Sequence, residues 1–212
     1  MAVLSFPPVE LADHDGLLAA GGDLEVSTLL LAYRSGIFPW PVEEGQLLWF
    51  APPERAVLFL DEFHLSQRAS RALKKAPFHT RMNTAFRDVI TRCAELQNRG
   101  DQRGTWITPE IVEAYTELHR AGHCHSFETY CGDELVGGLY GVQIGRMFAA
   151  ESSFYRRPDA SKAAMCRLVE HLHSHSIPWF DCQVLTPFSE SFGAREVPRS
   201  VFMTMLQSAL AG

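Results

Sequence analysis

The stretch WFDCQVLTPF, residues 179–188, places Asp181 and Gln183 two residues apart in an otherwise apolar run. Alternate residues of a β-strand lie on the same face of a sheet. The stretch therefore predicts a strand that aims both polar side chains into one packed interior. Burying a carboxylate is costly unless the carboxylate is paired, so the pair belongs either to a satisfied structural network or to a site of chemistry.

Length and composition fit an ordinary globular protein. The chain has 212 residues, of which 46% are hydrophobic and 21% are charged, and no apolar run approaches the roughly 20 residues that span a bilayer. The opening MAVLSFPPVELAD lacks the basic and apolar regions of a signal peptide. The five cysteines form no CxxC pair. We therefore expect a cytoplasmic protein with reduced thiols and no membrane contact.

Charge is distributed unevenly along the chain. The net charge of −6 argues against binding of nucleic acid over the whole surface. Residues 64–87, however, contain no acid and six basic residues: Arg68, Arg71, Lys74, Lys75, Arg81 and Arg87. This run predicts either a solvated helix face or a docking site for phosphates.

The remaining patterns predict a mixed architecture. Asn83 is expected to cap a helix that carries Phe86, Val89 and Ile90 on one face. The further elements predicted are helices over 26–35, 66–75, 161–175 and one starting at Thr108-Pro109, and strands over 56–60, 125–131, 134–142 and 146–154. Strands flanked by helices after a short helical start indicate an α+β or mixed α/β fold.

Common catalytic motifs do not appear in the sequence. The nine histidines match neither HExxH nor a zinc-finger spacing, so we predict no metal. There is no GxSxG elbow, P-loop or GxGxxG after a strand, and we expect no cofactor. Glu151 on a predicted strand joins Asp181 and Gln183 as a candidate polar cluster. Trp40 and Trp106 are either core residues or stacking platforms for a nucleobase.

Ten segments in order resemble the bacterial leucyl/phenylalanyl-tRNA–protein transferases. They are GLLAAGGDL, LLLAYRSGIFPWP, LLWFAPPERAVL, GTWIT, VEAYTELHRAGHCHSFE, DELVGGLYGV, AAESSF, ASKAA, FDCQVL and GAREVPR. They extend over nearly the whole chain. The resemblance implies a small N-terminal α+β domain, residues 1–53, and a GNAT-like catalytic domain, residues 54–212, whose central, mostly antiparallel sheet is flanked by helices.

The resemblance also implies an activity. Members of this family move leucine or phenylalanine, and we expect methionine as a third donor, from aminoacyl-tRNA to the N-terminal amine of proteins that start with Lys or Arg. This transfer marks the acceptor for degradation by the N-degron route. No cofactor is implied, the partners are the charged tRNA and the acceptor protein, and we expect a monomer.

The residues that match the family's functional positions fall into four groups. The catalytic group is Asp181, Gln183 and Glu151, and the adenosine of the tRNA is expected near Trp40, Trp106, Tyr33 and Tyr115. The aminoacyl side chain is expected among Leu139, Phe148, Met165, Leu168, Leu172 and Phe180. The tRNA phosphates are expected at Arg68, Arg71, Lys74 and Lys75. Whether Asp181, Gln183 or a ribose hydroxyl handles the proton is left open by the sequence.

Two other functions compete with this one. A CoA-dependent GNAT N-acetyltransferase would share the fold, although the sequence lacks the Q/RxxGxG/A loop that binds the CoA pyrophosphate. A non-catalytic tRNA-binding module would share the basic run. Both remain alternatives at the level of the sequence.

Overall fold

The computed structural model describes residues 3–40, 46–95, 98–99, 102–103 and 105–211. Pro41 and Gly104, which belong to two of the quoted segments, lie outside these residues. A short 3-10 turn, Val9–Leu11, precedes the first strand. The α-helices are α1 (Val26–Arg34), α2 (Gln67–Lys75), α3 (Phe86–Ala94), α4 (Pro109–Arg120), α5 (Ala160–Ser174), α6 (Pro187–Glu190) and α7 (Arg199–Ala211).

The strands form a small sheet, a large sheet and one further antiparallel pair. They are β1 (Leu17–Ala20), β2 (Phe38–Pro39), β3 (Leu48–Phe50), β4 (Glu54–Phe59), β5 (Phe78–Met82), β6 (Asn98–Arg99), β7 (Gln102–Arg103), β8 (Cys124–Cys131), β9 (Glu134–Ile144), β10 (Met147–Tyr155), β11 (Trp179–Gln183) and β12 (Arg195–Pro198). The small sheet has the order β1-β3-β2, and β6 pairs with β7.

The large sheet has seven strands in the order β12-β4-β11-β10-β9-β8-β5. Within it β10 and β11 are parallel, and the other neighbouring strands are antiparallel. A mostly antiparallel sheet flanked by helices, after a small N-terminal sheet with α1, confirms the predicted mixed α/β class. None of the described helices has the length and apolar character needed to cross a membrane.

Two helix starts follow local capping signals in the sequence, and a third does not. Ser66 accepts a hydrogen bond from the Ala69 N–H at the start of α2, and Thr108 accepts one from Ile111 at the start of α4. The predicted cap by Asn83 is wrong. Asn83 adopts a left-handed φ of 59° and accepts a hydrogen bond from the Ser126 N–H.

The buried carboxylate of Glu128 replaces Asn83 at the start of α3. It accepts hydrogen bonds from the N–H groups of Thr84 and Ala85 at 3.2 and 3.4 Å. A carboxylate at this place accepts from N–H groups that have no partner within the helix. Its negative charge also interacts favourably with the positive end of the helix dipole. Glu128 is 44 residues from Thr84 in the chain, so a local cap rule does not find it.

Two buried apolar clusters lie on the two faces of the large sheet. Neighbouring residues of β4 divide between them, Val57 in one and Leu58 in the other, as alternation along a strand requires. The α5 cluster is the set Leu58, Leu60, Phe127, Leu139, Phe148, Ala164, Met165, Leu168, Val169, Leu172, Ile177, Phe180, Phe192 and Ala194. The other cluster joins α1, α3, α4 and α7 to the opposite face.

A glycine on β9 allows two strands and a phenylalanine ring to approach closely. A Cβ atom at Gly141 would lie 2.3 Å from the Ala149 carbonyl oxygen and 2.5 Å from the Phe148 ring. We expect Gly141→Ala to lower the free energy of unfolding by about 2–3 kcal/mol, as overpacking does. Urea denaturation measures this difference.

Gly138→Ala on the same strand is the matched control. Its Cβ would meet the nearest atoms at 3.1 Å, which requires only a small adjustment, so the loss should be clearly smaller. Equal losses in the free energy of unfolding for the two variants would show that the close contact at Gly141 is not the cause.

Candidate active site

A buried ion pair anchors the central strand. Arg55 on β4 donates from Nε to Oδ1 of Asp181 at 2.9 Å and from Nη2 to Oδ2 at 2.7 Å. The side chains are 2% and 1% exposed. The planar guanidinium matches the two carboxylate oxygens, so the pair forms two parallel hydrogen bonds. The buried aspartate predicted from the sequence therefore has its partner.

Arg55 also contacts residues from distant parts of the chain. Its guanidinium carbon lies 4.6 Å from the ring centroids of both Phe38 and Phe202, within the range of a cation–π contact. Its Nη1 donates to the Gly36 carbonyl oxygen at 3.1 Å. One side chain thus joins the N-terminal region, the central sheet and α7.

Sequence reasoning missed Arg55 as a site residue. The available signal was the buried aspartate itself, because a carboxylate in an apolar strand requires a cation. Arg55 directly precedes the strand that the sequence predicted over 56–60. The pairing of β4 with β11, which brings the two together, is not visible in the sequence.

Gln183 lies beyond a β-bulge. Asp181 is in register with Val57 but Gln183 with Ala56, and Gln183 has a left-handed φ of 62°. The bulge interrupts regular alternation, but both side chains still reach partners beside the same apolar cluster: Asp181 reaches Arg55, which packs on Phe38 and Phe202, and Gln183 reaches Tyr33 through Glu151. A hydrogen bond from the Gln183 N–H to Asp181 Oδ1 at 2.7 Å also joins the two residues.

Glu151 lies at a second bulge on the neighbouring strand. The register between β10 and β9 shifts between Ala150 and Ser152, at the position of Glu151. Its Oε1 accepts hydrogen bonds from Gln183 Nε2 at 2.8 Å and from the Tyr33 hydroxyl at 2.7 Å. The Tyr33 hydroxyl is also 2.5 Å from that of Tyr115. The two bulges thus bring Glu151 and Gln183 together.

The second oxygen of Glu151 remains available. Oε2 is buried and has no hydrogen-bond partner among the described residues. Burial raises the pKa of Glu151 to about 7, against the lowering effect of the hydrogen bonds from Tyr33 and Gln183. A carboxyl group whose pKa lies near neutrality can accept and release a proton under working conditions, as a general base must.

The four predicted adenosine-binding residues occupy two environments. Tyr33 and Tyr115 are 1% and 0% exposed, and burial raises the pKa of both phenols. Their hydroxyls belong to the Glu151 network. Trp40 and Trp106 are half-buried. They pack against the apolar cluster that contains Tyr33 and Tyr115, on the face of the sheet opposite α5. Of the four, only the two tryptophans have partly accessible rings.

The six predicted aminoacyl-pocket residues lie together. All are buried members of the α5 cluster, and they come from β9, β10, β11 and α5: Leu139, Phe148, Phe180, Met165, Leu168 and Leu172. Asp181 directly follows Phe180 on β11. The α5 cluster and the Arg55–Asp181 ion pair are therefore adjacent along β11.

The predicted phosphate-binding residues share an exposed helix. Arg68, Arg71, Lys74 and Lys75 are exposed on α2, where only Ala69 is buried. Arg71 contacts Gln67 at 3.1 Å. None of the four forms an ion pair with a described residue, so their charge faces solvent without a neutralising partner.

The histidines near the end of α5 approach one another without forming a metal site. The rings of His171 and His175 have centroids 4.2 Å apart, and that of His125 is 6.2 Å from His171. Burial lowers the pKa of His171 to about 4. Within the described residues no group of three His, Cys, Asp or Glu could hold a metal ion.

Comparisons with known proteins match this chain to one family. The family model of the leucyl/phenylalanyl-tRNA protein transferase matches residues 57–207, and that of its N-terminal domain matches residues 22–53. A leucyl/phenylalanyl-tRNA–protein transferase of Syntrophobacter fumaroxidans is 50% identical over 203 residues, covering 96% of this chain and 86% of the relative. One of Dechloromonas aromatica is 48% identical over 208 residues, covering 97% and 88%. The chain belongs to this family and is an aminoacyltransferase.

A solved structure supports the fold alone. The crystal structure of FemX superposes with a TM-score of 0.53 at 10% sequence identity, covering 81% of this chain and 66% of that chain. At this identity the similarity extends to the architecture and not to the residues of the site.

The raised pKa of Glu151 predicts a pH dependence of stability. In the unfolded chain this carboxyl releases its proton near 4.5, whereas in the folded protein it does so near 7. Between these values the unfolded state binds fewer protons, so the group destabilises the fold as the pH rises, by about 3 kcal/mol in total. Glu151→Gln should lack this loss.

Urea denaturation at several pH values from 4.5 to 8 measures the effect. The free energy of unfolding of Glu151→Gln should gain about 3 kcal/mol on that of the wild type across the range. Glu117→Gln is the control, because the side chain of Glu117 is 56% exposed, and its curve should run parallel to the wild type. A parallel curve for Glu151→Gln would contradict the raised pKa.

Proposed function

We propose that this member of the leucyl/phenylalanyl-tRNA–protein transferase family moves leucine or phenylalanine from charged tRNA to the N-terminal amine of an acceptor protein. The observation that carries the proposal is the contact between Glu151 and Gln183, with the second oxygen of Glu151 unpartnered. Acceptors starting with Lys or Arg, a role in N-degron degradation and the use of methionine belong to the same proposal.

The chemistry suits a site without a nucleophile. An aminoacyl-tRNA ester is already activated, so the enzyme must orient an amine and remove its proton. The amine nitrogen forms a bond to the ester carbonyl carbon, and the bond from that carbon to the ribose oxygen breaks. The ammonium proton passes to Glu151, a second proton of the attacking nitrogen passes to the ribose oxygen, and the ribose leaves as a free hydroxyl. Orientation alone can contribute about 7–11 kcal/mol in favourable cases.

The roles of the three polar residues follow from their contacts. Gln183 can orient the amine through its amide oxygen, since its NH₂ group already donates to Glu151. Glu151 is the proton acceptor in this scheme, because its Oε2 is unpartnered and its pKa is about 7. Both oxygens of Asp181 accept hydrogen bonds from Arg55, and Oδ1 also accepts one from Gln183. Asp181 is therefore a poor candidate for the base.

The donor would bind through two surfaces. The terminal adenosine would stack on the accessible faces of Trp40 and Trp106, as bases do on aromatic side chains. The leucine or phenylalanine side chain would enter the α5 cluster, where Met165 can change its rotamer to make room. The apolar lining of this cluster favours an aliphatic or aromatic side chain over a polar one.

The acceptor's preferred charge depends on Glu151 more than on Asp181. Carboxylates at the site can attract a cationic Lys or Arg side chain of the acceptor. Because Arg55 neutralises the charge of Asp181, Glu151 remains as the carboxylate that would attract the acceptor. We also propose that the chain acts as a cytoplasmic monomer and that residues 1–53 and 54–212 form its two domains.

A transfer assay tests the function. Leu-tRNA and Phe-tRNA carrying radiolabelled amino acids are each incubated with an Arg-starting peptide and with the same peptide starting with Glu. We expect label on the Arg peptide from both donors. Binding of charged tRNA without transfer would support the tRNA-binding module, and acetylation with saturable CoA binding would support the N-acetyltransferase.

Asp181→Asn is the informative variant in this assay. The change leaves the Arg55 charge buried without its ionic partner and disturbs the strand that carries Gln183. We expect the kcat of transfer to fall by about 100-fold, while affinity for charged tRNA, measured by filter binding, stays close to that of the wild type. Wild-type turnover in this variant would contradict the place given to Asp181.

Charge reversal on α2 tests the docking of tRNA. Replacing Arg71 and Lys74 by Glu should raise the KM for charged tRNA. It should also reduce the dependence of binding on salt, because each phosphate contact contributes nearly one unit to the slope of log K against log salt. Arg120 and Arg195, replaced together by Glu, provide a control of equal charge. An unchanged salt slope after the α2 reversal would identify α2 as a solvated face.

A further inference from the structure

A continuous network of hydrogen bonds runs from Arg55 through Asp181 and Gln183 to Glu151. One atom connects the network, because Asp181 Oδ1 accepts from Arg55 Nε at 2.9 Å and from the Gln183 N–H at 2.7 Å. Gln183 Nε2 then donates to Glu151 at 2.8 Å. Each of these four residues is less than 9% exposed, so water is largely excluded from the network.

We propose that Arg55 is a positioning residue for aminoacyl transfer, fixing Asp181 so that its Oδ1 holds Gln183 in the bulged conformation that directs its amide to Glu151. The inference rests on the proposed function, since it concerns the same site. It assigns Asp181 a positioning role as well, and it leaves Glu151 and Gln183 as the groups that would touch the substrate.

The backbone at Gln183 shows why an anchor is needed. A φ of 62° is uncommon for a residue other than glycine and persists only where neighbouring groups hold it. The hydrogen bond from the Gln183 N–H to Asp181 supplies this hold. If Gln183 relaxed to regular strand geometry, its side chain would leave the position from which it reaches Glu151.

Arg55 is itself fixed from several sides. Phe38 and Phe202 each place a ring 4.6 Å from the guanidinium carbon, and the Gly36 carbonyl accepts from Nη1. A lysine could not reproduce two parallel bonds to the carboxylate, because its ammonium is a single point donor. The position of Asp181 Oδ1 therefore depends on this guanidinium and on the packing around it.

Pairs of variants separate positioning from proton transfer. Arg55→Met/Asp181→Asn removes both charges but keeps a side-chain oxygen that can accept from the Gln183 N–H. Arg55→Met/Asp181→Leu removes both charges and that acceptor. Replacing a buried ion pair by uncharged residues of similar size commonly preserves the fold, so both proteins suit kinetic analysis even where Arg55→Met alone unfolds.

We expect a specific pattern of kcat in the transfer assay. Arg55→Met and Asp181→Asn should each lower kcat by about 100-fold, with KM for charged tRNA changed by less than about twofold, because the reacting groups are misplaced while the tRNA contacts remain. Arg55→Met/Asp181→Asn should recover at least about tenfold over Asp181→Asn, because it also removes the unpaired buried charge of Arg55. Arg55→Met/Asp181→Leu should not recover.

Two results would overturn the proposal. Equal kcat values for the two double variants would mean that the Asp181 carboxylate itself is needed, and wild-type kcat in a folded Arg55→Met would mean that no positioning takes place. Arg195→Met, which breaks an exposed pair with Glu62, should retain wild-type kcat. A wild-type protein that transfers no label would instead refute the proposed function.

Discussion

Arg55 and Asp181 carry opposite charges that the fold buries almost completely. Removing one partner of such a pair leaves the other charge buried without a counter-charge, which typically lowers the free energy of unfolding by about 3–5 kcal/mol. The surrounding residues must therefore hold the guanidinium and the carboxylate in contact. Gly36 and Phe38 from the N-terminal region, Phe202 from α7 and the pairing of β4 with β11 all meet this requirement. The pair consequently couples distant parts of the chain.

The same constraint divides the acidic residues of the site into two kinds. Asp181 is held by a guanidinium and a backbone amide, and its position is fixed. Glu151 is held through one oxygen only, and the other is unpartnered. A fixed carboxylate can organise a backbone, whereas a partly bound one can exchange a proton. The neighbouring strands β10 and β11 thus each contribute one bulge and one carboxyl group, with different properties.

Features set by neighbouring residues were predictable, and features set by strand pairing were not. Ser66 and Thr108 start their helices as the sequence indicates, because a cap acts over three residues. The start of α3 depends on Glu128 from another element, so the prediction for Asn83 failed. In the candidate site, the clustering of Asp181, Gln183 and Glu151 was predictable. Arg55 was not, because 126 residues separate it from Asp181.

The burial that stabilises the core also adjusts the candidate base. An exposed glutamate with a pKa near 4.5 would hold a proton from an N-terminal amine, whose pKa is about 8, only weakly. Removing Glu151 from water raises its pKa to about 7, although the hydrogen bond from the Tyr33 hydroxyl acts in the opposite direction. The gap between donor and acceptor then narrows to about one unit, so the proton can move with little free-energy difference. Substrate binding that excludes further water would narrow it more, because desolvation disfavours the charged carboxylate and the charged ammonium alike.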